Sequence, residues 1–219
     1  MSKVVQSFVK VTGWPIQWCC FRTKIHYEDK TVQGRSIKKQ AIIISNHTSV
    51  YDFAVMLYVF RFRYLRYLMA ELLFKRPVLG KFLKGMGGIK VDRDNYDFSF
   101  ISKSLNILEK GGVVGIFPEG RLPREGESRP LAFKPSAAYL AYLSEVDVVP
   151  VYTDGSYFCK KRANVIIGKP IKIKEIIDET YSEKENIERI NDILREKVIS
   201  LGEELANRKK QNEKNKKSI

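Results

Sequence analysis

The chain has little of what metal centres and disulfide scaffolds require. It carries two histidines and three cysteines in 219 residues. Cys19, Cys20 and Cys159 have neither metal-ligand nor disulfide-framework spacing, and adjacent cysteines rarely pair with each other, so a reduced, cytoplasmic setting is expected. With only His26 and His47 present, a His-rich metal site is excluded and the search for a general base is short. A long hydrophobic run is missing as well. From Val11 to Phe21 no charge interrupts VTGWPIQWCCF, but Lys10 and Arg22 bound it. That falls short of the roughly 20 apolar residues a spanning helix needs. Pro15, Gln17 and two Trp spoil it as a signal-peptide core, and no small-residue cleavage site follows. It reads as an interfacial or core segment. Acidic residues are the minority, 25 against 39 Lys and Arg, for a net charge of +14. An excess of that size points to an anionic partner: nucleic acid, an acidic membrane surface or a phosphorylated substrate.

Apolar residues make up 44% of the chain and aromatics 11%, so a packed core is within reach and global disorder is not expected. Short apolar runs rich in β-branched residues alternate with helix-period segments. AIIIS (41–45), YLMA (67–70), GIKV (88–91), VVGIF (113–117) and VVPVY (148–152) read as strands, and NVIIGKPIKI (164–173) as a strand pair or a kinked strand. FAVMLYVF (53–60), residues 98–109 up to Gly111-Gly112, and residues 135–144 read as helices. Ser182-x-x-Glu185 is a capping-box signal, opening a helix whose stripe runs Ile187, Ile190, Leu194, Val198, Leu201, Leu205. The alternation predicts an α/β fold: a single domain with a mixed central sheet flanked by helices, over residues 31–206. Ahead of it, residues 1–30 are expected to form an amphipathic helical segment in contact with a membrane. Residues 207–219, NRKKQNEKNKKSI, read as a basic tail, disordered or lying on an anionic surface.

The loop Asn46-His47-Thr48-Ser49-Val50-Tyr51-Asp52 stands between a strand and a helix, where α/β folds place functional loops. Five residues turn a regular helix by about 500°, so His47 and Asp52 cannot share a helix face. A loop running into a helix can instead fold so that Asp52 accepts from one imidazole nitrogen, leaving the other to take a proton from a hydroxyl. Such a dyad suits direct attack of a substrate alcohol on an activated acyl group. Alone the spacing is a weak signal, since aspartates are common. Ser45 and Ser49 lack the Gly-x-Ser-x-Gly surroundings of a nucleophile, and Ser49 reads as a helix cap. Phe117-Pro118-Glu119-Gly120-Arg121 closes a buried strand in a rigid turn, with Arg124 close by. Guanidinium groups on a rigid turn make a good phosphate clamp, and Glu119 could hold an arginine or a substrate hydroxyl.

NHTSVYD, GIKVDR, FPEG and VVPVY, in that order, resemble the four motifs of the glycerophospholipid acyltransferases, above all the 1-acylglycerol-3-phosphate acyltransferases. The resemblance covers about residues 40–175. It implies that His47 and Asp52 are the catalytic dyad, that Arg93, Glu119 and Gly120 bind the glycerol phosphate, and that Val149-Pro150 line the acyl-donor region. It implies transfer of a fatty acyl group from acyl-CoA or acyl carrier protein to the sn-2 hydroxyl of 1-acylglycerol 3-phosphate. No cofactor or metal takes part; the thioester is a co-substrate. The third motif departs from the family, which often has Thr or Ser between its Gly and Arg, whereas Arg121 follows Gly120 directly. Arg121 or Arg124 is therefore the candidate phosphate ligand. LAFKPSAAYLA (131–141) resembles the family's following helix, from which Lys134 either approaches the phosphate or is simply a solvated lysine. The implied partners are an anionic membrane surface, a lysophospholipid and the acyl carrier, and the implied location is a monotopic attachment at the cytoplasmic face. Glycerol 3-phosphate or another lysolipid is the alternative acceptor. A non-catalytic basic membrane- or nucleic-acid-binding protein is a weaker reading, because no helix-turn-helix, zinc or RNA-recognition signature is present.

Overall fold

The computed structural model describes residues 2–92, 98–158 and 162–217; Arg93 and Cys159, both singled out above, lie outside them. Two short helices come first, α1 (Ser2–Thr12) and α2 (Trp14–Cys20). They part at Gly13, and Pro15 sits in the first turn of α2, where its missing N–H costs no helical bond. Then follow β1 (Lys24–Tyr27), β2 (Ala41–Ser45), α3 (Asp52–Val59), β3 (Leu65–Ala70), α4 (Glu71–Phe74), α5 (Pro77–Gly85), β4 (Ile89–Val91) and α6 (Ser99–Glu109). The second half holds β5 (Val113–Ile116), α7 (Ser136–Ser144), β6 (Val148–Thr153), β7 (Asn164–Ile167), α8 (Ile173–Ile176) and α9 (Glu183–Lys217).

The strands form one mixed sheet in the order β1-β7-β6-β2-β5-β3-β4. Every pairing is parallel except β6 with β7. All five residues of β2 are buried, as expected of a central strand covered on both faces. Ala41 and Ile43 enter the core shared with Val55, Met56 and Val59 of α3 and with Phe21. Ile42 and Ile44 enter the other core, with Ile101 and Leu108 of α6, Ala137 and Leu140 of α7, and Ile190, Leu194 and Val198 of α9. Burial of such a side chain stabilises by about 1.5–3 kcal/mol at most. That is how a helix as polar as α9 is held against the sheet. Its start is the expected capping box: Ser182 Oγ lies 2.6 Å from Glu185 Oε2, and the Ser182 N–H donates to the same oxygen at 2.8 Å.

Three features differ from the sequence reading. Residues 24–27, grouped with the interfacial segment, form β1 at the sheet edge, pairing Lys24–Tyr27 with Asn164–Ile167. KIHY is short and carries a charge, so no apolar run marks it. Beyond β7 the chain makes only one bridge, Ile171 to Val148. The basic tail from residue 207, read as disordered or lying on an anionic surface, continues α9 through Lys217. It contains no Pro or Gly, and it is tied down by Arg208 to Glu204 one turn back and by Lys209 to Asp154.

The strand directions decide where the site can form. β2, β5 and β6 are parallel neighbours, so Asn46-His47, Phe117-Pro118-Glu119 and Thr153 leave the sheet at the same edge.

Candidate active site

β2 ends at Ser45, and the next six residues turn so that Asp52, the first residue of α3, faces back toward His47. His47 Nδ1 lies 2.8 Å from Asp52 Oδ2. Asp52 is fully buried while the His47 side chain keeps 20% of its exposure. Opposite an ionised carboxylate Nδ1 carries the proton, which leaves Nε2 as a lone-pair acceptor on the open side. The N–H groups of Thr48 and Ser49 also donate to Oδ2, at 2.6 and 2.9 Å. Oδ1 accepts from Thr48 Oγ1 at 3.0 Å and from the Tyr157 hydroxyl at 2.6 Å. Burying this carboxylate is tolerable because its lone pairs are occupied by donors.

The imidazole is held by stacking. It lies on Phe117 with centroids 4.5 Å apart and planes within 12°, and Phe117 lies on Tyr67 at 5.1 Å. Gly115 makes this possible, since a Cβ there would stand 2.2 Å from the Tyr67 ring. Asn46 fixes the start of the loop by exchanging two hydrogen bonds with the Thr153 backbone, at 2.8 and 2.9 Å.

Glu119 is buried, and each of its carboxylate oxygens accepts a main-chain N–H. Oε1 accepts the His47 N–H at 2.7 Å and Oε2 the Leu131 N–H at 2.8 Å. Burial pushes its carboxyl above the ordinary value, against the pull of those two amides. Gly120 has a left-handed backbone, φ 72°, and closes the turn with its N–H on Phe117 O. Arg121 forms a two-pronged pair with Glu127, both distances 2.7 Å, and Glu127 Oε2 also accepts the Arg124 N–H. Those partners hold the Glu127 carboxyl down to about 2. The exposed head groups of Arg124 and Lys134 make no hydrogen bond or ion pair among the described residues, though the Arg124 charge acts on Glu127. Arg93 falls outside the described residues. Val149 and Pro150 are buried in β6, part of the sheet.

Sequence reasoning missed three contributors. Tyr157 lies 105 positions from Asp52, Phe117 stands in VVGIF and FPEG with no role of its own legible there, and no motif marks the cavity beside them. That cavity, about 600 Å³, is lined by Leu68, Phe98, Phe100, Ile116, Phe117 and Tyr139, with Gly120 and Lys134 also on its wall. Phe117 is thus shared by the cavity and the imidazole stack. Among the described residues no group of three or more His, Cys, Asp and Glu could hold a metal ion.

Fold and site define an α/β protein with a buried-carboxylate-backed histidine at the edge of its sheet, suited to polarising a hydroxyl beside an apolar slot. The chain belongs to the acyltransferase family, whose model matches residues 22–154, and it is an enzyme of that family. It is similar to a 1-acyl-sn-glycerol-3-phosphate acyltransferase of Bacillus subtilis, 29% identical over 146 residues that cover 64% of this chain and 70% of the relative. A protein of the same description from Borreliella burgdorferi is 26% identical over 170 residues, covering 74% of this chain and 66% of that one. The crystal structure of the 1-acyl-sn-glycerophosphate (LPA) acyltransferase PlsC from Thermotoga maritima superposes with a TM-score of 0.66 at 19% identity, over 92% of this chain and 81% of that one. That likeness speaks for the fold.

Proposed function

We propose that the protein moves a fatty acyl group from the thioester of acyl-CoA or acyl carrier protein to the sn-2 hydroxyl of 1-acylglycerol 3-phosphate. The observation that carries this reading is the His47 Nδ1–Asp52 Oδ2 contact of 2.8 Å, with the imidazole stacked on Phe117, which also lines an apolar cavity. Nε2 takes the hydroxyl proton as the oxygen attacks the thioester carbonyl. Collapse of the tetrahedral adduct breaks the C–S bond, and the proton passes from His47 to the leaving sulfur. Asp52 holds the tautomer and stabilises the imidazolium. No side chain becomes acylated. Phe98, Phe100 and Tyr139 suit the cavity to the acyl chain. Within the described residues, Glu119 serves the loop rather than the substrate, and Arg124 and Lys134, whose head groups make no hydrogen bond or ion pair, are the phosphate ligands.

On this reading acceptor and product are both lipids, and we propose that the enzyme works at a membrane surface, on the cytoplasmic face. Support comes from α1 and α2, whose two sides differ. Val5, Val9 and Phe21 pack on the core and Gln6 is buried, bonded to Leu65 and to Met86 O. Val4, Phe8, Val11, Trp14, Ile16 and Trp18 point outward, Val11 with 74% exposure. An apolar stripe bearing two Trp, in a chain with net charge +14, fits a monotopic attachment to anionic lipid. No described helix is long and apolar enough to cross a membrane.

The test is transfer of radiolabelled acyl-CoA to a panel of lysolipids and glycerol 3-phosphate. 1-Acylglycerol 3-phosphate should be the best acceptor, and His47→Ala should lower turnover by about 10²–10⁴, the usual worth of a positioned base. Transfer only to glycerol 3-phosphate would replace the acceptor, and full activity of a folded His47→Ala protein would sink the mechanism.

A further inference from the structure

Asp52 Oδ2 faces His47 and the Thr48 and Ser49 amides, while Oδ1 accepts from the Thr48 hydroxyl within the dyad loop and from Tyr157 outside it. The Tyr157 hydroxyl sits 2.6 Å from Oδ1 and 2.9 Å from Thr153 Oγ1. The proton inventory gives this chain one direction. Ionised Asp52 can only accept, so Tyr157 spends its single proton there. Thr153 must then donate to the Tyr157 oxygen, and Thr153 Oγ1 is free to accept the Gly155 N–H, 3.3 Å away. The donors therefore run from Gly155 N–H through Thr153 and Tyr157 into the carboxylate, each polarising the next. Asp52 and Thr153 are fully buried and Tyr157 nearly so, and loss of the Tyr157 hydroxyl would leave Oδ1 with the Thr48 hydroxyl as its side-chain donor. The surroundings are arranged for it. The Tyr157 ring is pinned edge-on by Phe21 at 5.4 Å. Gly155, at φ 66°, lets the 153–157 turn approach the dyad loop, where a Cβ would stand 2.6 Å from Thr48 Oγ1.

We propose that Tyr157 is a positioning residue for the dyad: its hydroxyl holds and polarises Oδ1 of Asp52, and so sets how strongly Asp52 binds the proton on His47. This rests on the reading of His47 and Asp52 as base and partner. Burial and the charge of Asp52 hold the Tyr157 phenol well above its ordinary value, so it remains a donor throughout the working pH range. Two other titratable groups bear on the dyad: Glu119 on the His47 N–H, and Tyr67 beneath Phe117, whose burial also keeps it protonated.

Removing the hydroxyl concentrates charge on Asp52 and strengthens its hold on the imidazolium. The test is an NMR titration of the full chain, in which His47→Ala distinguishes the His47 signal from that of His26. In Tyr157→Phe the His47 midpoint should rise by about half a pH unit or more. Turnover should fall roughly tenfold with the KM of both substrates little changed, and the acid limb of the kcat/KM profile should move upward with the NMR midpoint. Thr153→Val should shift the midpoint in the same direction by less, and Thr153→Ser, which keeps the hydroxyl, should restore it. These two variants answer the question should Tyr157→Phe fold poorly. A midpoint unchanged or lowered in a folded Tyr157→Phe or Thr153→Val protein overturns the proposal, whatever the turnover. An active His47→Ala enzyme would remove the acyl-transfer mechanism, yet the titration would still decide the role of Tyr157.

Discussion

Glu119 and His47 are joined through the main chain: the carboxylate that ends the β5 turn accepts the N–H of the histidine that ends β2, at 2.7 Å, and the N–H of Leu131 at 2.8 Å. One buried anion thereby sets the distance between the dyad loop and the segment that leads into α7. Glu119→Gln offers one acceptor oxygen for two donors and turns its NH2 toward an N–H. Leaving a buried donor unsatisfied costs about 1–3 kcal/mol. Urea unfolding should show a loss of that order, with kcat falling alongside. Unaltered stability and a raised acceptor KM would instead make Glu119 a substrate ligand.

Arg121 and Arg124 are expected to separate. Arg121 is clasped by Glu127, whereas the Arg124 head group makes no hydrogen bond or ion pair among the described residues. Hydrogen bonds to charged groups contribute roughly 1.5–3 kcal/mol. Arg124→Ala should raise the KM for the phosphorylated acceptor about tenfold and spare the acyl-donor KM. Arg121→Ala should change both by much less. The reverse ranking, measured by steady-state kinetics, would make Arg121 the phosphate ligand.

Membrane attachment is best tested by substitution. Deleting residues 1–21 would take Gln6 and Phe21 out of the core and confuse unfolding with loss of binding. Phe8→Glu with Val11→Glu alters only the outward stripe. It should weaken co-sedimentation with phosphatidylglycerol-rich vesicles while the thermal midpoint stays put, and binding of the parent chain should fall with added salt. Equal sedimentation of parent and variant would move the attachment elsewhere on the surface.

Lys10 gives a pH signature for the docking of α1. Its ammonium donates to the carbonyls of Arg61 and Arg63, and burial lowers its pKa to about 8 from 10.5. Between those values the unfolded chain binds a proton that the folded chain does not, so stability from this group rises with pH across the window. The thermal midpoint should rise from pH 8 toward 10.5 more steeply in the parent chain than in Lys10→Met. Parallel curves would mean that Lys10 titrates normally.

The sequence by itself determined the layers and the location of the chemistry. Runs such as AIIIS and VVGIF are too short and too β-branched for helices, so they could be read as buried strands before any contact was known. His47 and Asp52 are five residues apart, close enough that a single loop folds them together, and their motif spacing places them in the family. Tertiary structure decided the rest, because those relations cross the sheet. Nothing local in SYF (156–158) shows that Tyr157 reaches a carboxylate 105 positions away, since the two meet only when β6 lies beside β2. Nothing local in FPEG shows that Glu119 accepts the His47 N–H, a contact that exists only because β2 and β5 run parallel side by side. The apolar residues of α1 and α2 gave no sign of which side would be covered. Packing against the core buried Phe21 and Gln6 and left Phe8 and Val11 outside, a division that hydrophobicity alone cannot make.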